Sequence, residues 1–306
     1  MNKIWFYRNK QKGFVLLFVM GALVLVVALF LGISIVTRDK VNQVTAQRAV
    51  TESDYILKGV IQVVLAKIHV DIDLASPGNQ VEAGRYRLPP AYEAWTASML
   101  PKPLNVEGET FLVQVIDARW LPDANTLSPE EWLRLLTGLG MESTEAQTIM
   151  EQIVEKKDRV LGSFGGYQTF NQIFSGLVGP TTALHGSADG SVPGLIDVLT
   201  VGTGTRATHP LYTPLIVYKA LYNASDEQLK KLSALRTKGA VSRQQESELL
   251  GLTGQPPLDN ASPTLLKVVI TPAAPRTRVG SAGVVAWITV TGMQAKVVNE
   301  YLFYRE

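Results

Sequence analysis

The 306-residue chain contains no cysteine. That excludes a disulfide, a thiolate metal site and a thiol nucleophile. Histidine is nearly as scarce, with three: His69, His185 and His209. None lies in a Glu-x-x-His arrangement or beside a second histidine, so no metalloprotease-type site is written here. The first thirteen residues hold Lys3, Arg8, Lys10 and Lys12 but no acid, and no charge at all interrupts the 23 residues from Phe14 to Val36. No proline precedes Pro77, and Gly59 is the only glycine between Gly32 and Gly78. The net charge of +2 favours no polyanionic partner. Apolar residues make up 46% of the chain, enough for a substantial core.

What stands in the uncharged stretch is a membrane span. A helix of that length covers roughly the ~30 Å hydrocarbon core. The basic residues before it predict a cytoplasmic N-terminus, with everything after Val36 across the membrane. Three readings of this start are open. One is an uncleaved signal anchor. A cleaved secretory signal is the second, but the run is long, continues straight into Thr37-Arg38-Asp39-Lys40, and offers only Gly32-Ile33-Ser34 as a small-x-small motif. In the third, Lys12-Gly13-Phe14 resembles a prepilin-type cut site: a basic residue, a glycine and an aromatic first mature residue.

Past the span the pattern stays helical. Val60, Ile61, Val64, Leu65 and Ile68 share one face, so a single helix is expected over about 14–70. Asp71 and Asp73 read as the polar exit of that helix; with His69 they are too few to close a metal site. Residues 75–110 read as loop, with a short strand over Tyr86–Leu88. Phe111–Asp117 reads as a strand.

A helical block follows. Ser128-Pro129-Glu130-Glu131 is a capping box with proline at the first helical position. Trp132, Leu133 and Leu136 mark the buried face, and Gly138-Leu139-Gly140 the stop. Ser143 opens a second helix with Ala146, Ile149, Met150 and Ile153 on one side. Gly162–His209 is rich in Gly, Ser and Thr. Thr213-Pro214 then opens a second unit as Ser128-Pro129 opened the first, and Ser225-x-x-Gln228 and Ser242-x-x-Gln245 are further boxes. Two diverged helical units are expected. After Pro263, strands are predicted at Leu266–Ile270, Val284–Val290 and Lys296–Tyr304, as an antiparallel meander. Strands on both sides of the helices imply an insertion into a small sheet domain.

These features, in this order, resemble the K-type minor pseudopilins (GspK-like) of bacterial type II secretion systems. The resemblance covers nearly the whole chain. It rests on Lys12-Gly13-Phe14, on Val113–Asp117 before an Asn-containing loop at Asn125-Thr126, on Ile153–Asp158, on Pro210–Arg236, and on Val298–Glu306. It also rests on Phe18, the fifth mature position, where most pilin-like chains have glutamate. A carboxylate there needs a cation in hydrocarbon, normally the N-terminal amine of the preceding subunit. A chain without one has no need of a predecessor and can stand first.

The resemblance implies an α+β, pilin-like fold: a long N-terminal transmembrane helix on a small antiparallel sheet, with a large all-α insertion of two SAM-like helical-hairpin units between strands. The implied segments are 1–13 leader, 14–70 span and stem, 71–120 first part of the head, 121–262 inserted helical domain, and 263–306 C-terminal strands. It implies a single-pass protein of the bacterial inner membrane with a periplasmic head at the tip of the pseudopilus. The implied partners are I-type and J-type minor pseudopilins, other pseudopilins, the inner-membrane secretion platform and the prepilin peptidase. No cofactor is expected. Some members of the family bind calcium, but no metal ligands can be assigned in this chain. The absence of cysteine departs from the disulfide many members carry.

Leu136-Thr137-Gly138-Leu139-Gly140 resembles the hairpin of a DNA-binding helix-hairpin-helix module. Residues 128–159 carry seven acids and four bases, the wrong balance for phosphate. The Lys230, Lys231, Arg236, Lys238 and Arg243 group reads as a solvated helix face. No nucleic acid is expected, except in the alternative of a type IV minor pilin. Ser187 and Asp189 near His185 lack a strand-turn-helix nucleophile context, and Gly202-Thr203-Gly204-Thr205 lacks a phosphate-loop lysine. No enzyme is expected. The remaining alternative is a single-pass anchor carrying a helical scaffold.

Overall fold

The computed structural model describes residues 3–75, 95, 101–160, 166–177, 179–187, 191–238, 241–252, 264–274, 282–292 and 294–305. The expected strand at Tyr86–Leu88 and Asp189 lie outside them. The chain divides into two units, 1–52 and 53–306.

Helix α1 runs over Lys3–Ala75. It starts before the expected cut and ends later than the expected 70, so Asp71 and Asp73 lie inside the helix rather than at its exit. Within the second unit, Leu57, Val60, Ile61, Val64 and Ile68 are at most 1% exposed. They fall at helical spacing, and each contributes roughly 1.5–3 kcal/mol relative to exposure. Leu65, expected on that face, is half-buried.

These residues cover one face of a five-stranded sheet whose order is β1-β2-β3-β4-β5, with every pair antiparallel. The strands are β1 Lys102–Val106, β2 Glu109–Asp117, β3 Leu265–Pro272, β4 Ala282–Thr291 and β5 Gln294–Tyr304. Strand β1 corrects the expectation of loop over 75–110. It is short and half polar, and only its two-residue turn, Glu107 and Gly108, both at positive φ, betrays a hairpin. The face toward α1 carries Phe111, Val113 and Val115 of β2, Leu266, Val268 and Ile270 of β3, and Val284, Ala286 and Ile288 of β4. These are alternate residues, as the period of two requires.

Between β2 and β3 the chain leaves the sheet and returns to it. The excursion contains helices α2 Pro129–Gly138, α3 Ser143–Val160, α4 Phe170–Phe174, α5 Thr181–His185, α6 Leu195–Val198, α7 Leu215–Tyr222, α8 Asp226–Thr237 and α9 Arg243–Leu250. The fold class is therefore α+β, a long N-terminal helix and antiparallel sheet with an all-α insertion, as expected. The Ser128–Glu131, Ser225–Gln228 and Ser242–Gln245 boxes all form. Thr213 does not cap α7. Its hydroxyl donates to Trp120 O at 2.7 Å and accepts from His209 N at 2.7 Å, and Pro214 stands at the N-cap without a side-chain bond.

The Gly/Ser/Thr-rich stretch is not merely loop, because α4, α5 and α6 lie in it. They supply Phe170, Ile173, Leu184, Leu195, Ile196 and Val198 to one core with Trp132, Leu135 and Ile149, and with Val269, Val285, Trp287 and Phe303 of the sheet's other face. Phe170 meets Trp287 edge-on, with centroids 4.8 Å apart. A smaller cluster around Tyr218, Leu232 and Leu250 holds α7, α8 and α9.

Candidate functional site

The candidate processing segment, Lys12-Gly13-Phe14, lies in continuous helix. From Leu17 to Glu52 every residue is exposed in this structure, including Phe18 at 72% and Phe30 at 71%. A run of exposed Leu, Val, Ile and Phe all round a helix has no aqueous explanation. The helix is long and apolar enough to cross a membrane. Phe18 is one of the apolar residues of this span, which carries no charge from Phe14 to Val36.

In the head, the remaining candidates are tied into structure. Asp71 accepts the backbone N–H of Trp95, and His69 Nε2 lies 3.1 Å from Ala295 O. His185 bridges Tyr304 O and Tyr301 Oη, each at 3.1 Å. Ser187 accepts Val192 N at 2.9 Å, a local turn rather than a relay to His185. His209 stacks on Tyr212 and packs on Trp120 at centroid distances of 4.3 and 4.5 Å. Burial, then the Arg243 and Arg236 charges, push its pKa down to about 4, so it is neutral at pH 7. Gly204 N donates to Asp123 Oδ2 at 2.6 Å, so the Gly202–Thr205 turn is anchored to a carboxylate, not a phosphate. Among the described residues no group of three or more His, Asp or Glu could hold a metal ion.

Two buried polar clusters escaped the sequence reading. Glu246, fully buried, accepts from Tyr218 Oη, from Thr208 Oγ1 at 3.3 Å and from Arg243 Nη1 at 2.6 Å, tying α9 to α7. Burial, with the Glu246 charge beside it, raises the Tyr218 pKa far above the phenol range. Lys267 of β3 is also fully buried. Its ammonium donates to Ile196 O and, at 2.7 Å, to Leu199 O at the end of α6, and it faces the Phe170 ring at 5.4 Å. Burial lowers its pKa to about 7, against a raising effect of Asp197, while Arg305 adds to the lowering. Asp197 itself accepts Arg305 Nη2 at 2.6 Å and Gly194 N at 2.9 Å. Nothing in the sequence marked Lys267: alternating with Leu266 and Val268, it reads as a side chain on an open sheet face.

No family model matches the chain. No curated protein matches it. Among solved structures, the chain is similar to one in the crystal structure of the GspK-GspI-GspJ complex from the type 2 secretion system of enterotoxigenic Escherichia coli. The identity is 12%, the match covers 85% of this chain and 99% of that one, and the TM-score is 0.34.

Proposed function

We propose that this chain is a K-type minor pseudopilin, cut by a prepilin peptidase between Gly13 and Phe14 and standing at the tip of a periplasmic pseudopilus. The carrying observation is one combination: Lys12-Gly13-Phe14 opening a neutral span with Phe18 at its fifth residue, on a chain whose sheet is interrupted between β2 and β3 by a large all-α insertion. Without a carboxylate at Phe18, insertion beneath an existing subunit gains no ion pair with that subunit's terminal amine. A starting position follows. In this reading residues 14–70 are span and stem, 121–262 the inserted domain, and 71–120 with 263–306 the head. Its partners are I-type and J-type minor pseudopilins, the other pseudopilins and the inner-membrane platform.

The test is the mass of the mature protein from membranes with and without active prepilin peptidase. The expected product begins at Phe14 with one N-methyl group, and Gly13→Leu leaves the chain uncut. A wild-type chain retaining Met1–Gly13 beside active peptidase would overturn the proposal and leave a plain membrane-anchored helical scaffold.

A further inference from the structure

Helix α1 has two apolar faces in the head. Leu57, Val60, Ile61, Val64 and Ile68 meet the sheet. On the side of the helix turned away from it lie Tyr55, Gly59, Val63, Ala66 and Val70, all exposed, Tyr55 at 73%. None of the five carries a charge. The stripe is not the membrane span continued, because Arg38, Asp39, Lys40, Arg48 and Glu52 stand between Val36 and Tyr55.

Gly59 is the informative member. A glycine inside a helix is costly relative to alanine. At Gly138 of α2 the fold supplies a reason, since an added Cβ would run into Ile216. At Gly59 the backbone is not left-handed, and an added Cβ would meet nothing within 4 Å. The chain's own fold therefore gives Gly59 no reason to lack a side chain, whereas the close approach of another backbone does. Gly59, Val63, Ala66 and Val70 follow one another at intervals of four, three and four, the spacing of a coiled-coil seam. That period fits a second helix, not a strand or a loop.

We propose that these five residues seat the stem helix of another membrane-anchored pseudopilin, parallel to α1, with Gly59 at the point of closest approach. The anchored, parallel partner rests on the pseudopilin reading; the helical seat rests on the stripe and on Gly59.

The test uses the full chain co-expressed with the I-type and J-type minor pseudopilins of its own secretion system. Photo-crosslinks are formed from p-benzoylphenylalanine placed at Tyr55 or Val70, with Val298 of β5, 54% exposed, as the control position. Both stripe positions should crosslink to the stem helix of one of those subunits, located by mass spectrometry, in higher yield than Val298. Gly59→Leu should leave the urea midpoint of the chain no lower than wild type, because nothing in the fold meets the new side chain. It should cut the crosslink yield at least about tenfold, as overpacking of a close contact does. Should Gly59→Leu unfold the head, Ala66→Glu, which puts a charge in the seam, decides instead. Crosslinking unchanged by the deciding variant, crosslinks to the chain itself, to a second copy or to lipid, or yields no higher than at Val298 would overturn the proposal. The mature mass is read in the same membranes. A chain cut before Phe14 that fails to crosslink loses this seat and keeps the pseudopilin reading, whereas an uncut chain that crosslinks loses that reading and keeps the helical seat.

Discussion

Lys267 shows how much one side chain can set. Its ammonium has two carbonyls and an aromatic face but, among the described residues, no carboxylate in contact, so its charge is poorly compensated. In the folded chain it binds its proton less tightly than the ordinary lysine at 10.5, with a pKa of about 7. Between those two values the unfolded chain binds more protons, so stability rises with pH across that window; below about 7 both states are protonated and the slope vanishes. The stability of wild type relative to Lys267→Met should therefore be greater at pH 9 than at pH 6.5, as read by urea unfolding. A difference independent of pH would show that Lys267 titrates normally. Glu246 is the opposite case, a buried charge fully supplied with donors. Glu246→Ala removes the one carboxylate on which Arg243, Thr208 and Tyr218 converge and should cost about 3–5 kcal/mol in the same measurement. At Gly194 the backbone itself is the obstacle. An added Cβ would lie 2.2 Å from Gly186 N and 2.5 Å from His185 C, so Gly194→Ala should destabilise the head by about 1–3 kcal/mol.

Elements differ in how openly the sequence announces them. Helices α2, α8 and α9 begin with Ser-x-x-Glu/Gln boxes, and in each the serine oxygen accepts the N–H three residues on while the acid or amide returns the bond. Ser128→Ala should cost about 1 kcal/mol, seen as a lowered urea midpoint with an unchanged slope. The meander β3-β4-β5 was equally plain, because β-branched runs stand between Pro and Gly. Helix α4 carries the same Thr169–Gln172 box, yet its five residues are too few for periodicity to register. The same brevity hid α5 and α6, whose burial comes from the sheet beneath them. Strand β1 was hidden because its pairing with β2, not its own composition, makes it a strand. The α7 start misled in a different way. Thr213-Pro214 copies the local pattern of a cap, but tertiary bonds to Trp120 and His209 take the hydroxyl away.

At the scale of the whole head, the insertion and the sheet share a core: Phe170, Ile196 and Trp132 belong to the same cluster as Val269, Val285 and Trp287. The insertion is thus a separate segment in sequence but not a separate hydrophobic body. Single-tryptophan versions retaining Trp132 or Trp287 should report the same urea midpoint. Separated midpoints would mean that the insertion unfolds by itself. The cluster explains why the polar site was illegible: Lys267, Asp197 and Arg305 are far apart in the chain, and only the return of α6 onto β3 and β5 brings them together. The proposed processing segment, by contrast, is a contiguous pattern of basic residues, glycine and apolar span, which a sequence displays without any fold.

The insertion leaves the sheet at the end of β2 and re-enters at the start of β3, where Asp117 and Leu266 are register partners. Mechanical load on the inserted lobe therefore enters two neighbouring strands at the same end and in the same direction. It does not pry β2 from β3. It draws the pair lengthwise past β1 and β4, so the hydrogen bonds on both flanks resist together in shear rather than opening one after another.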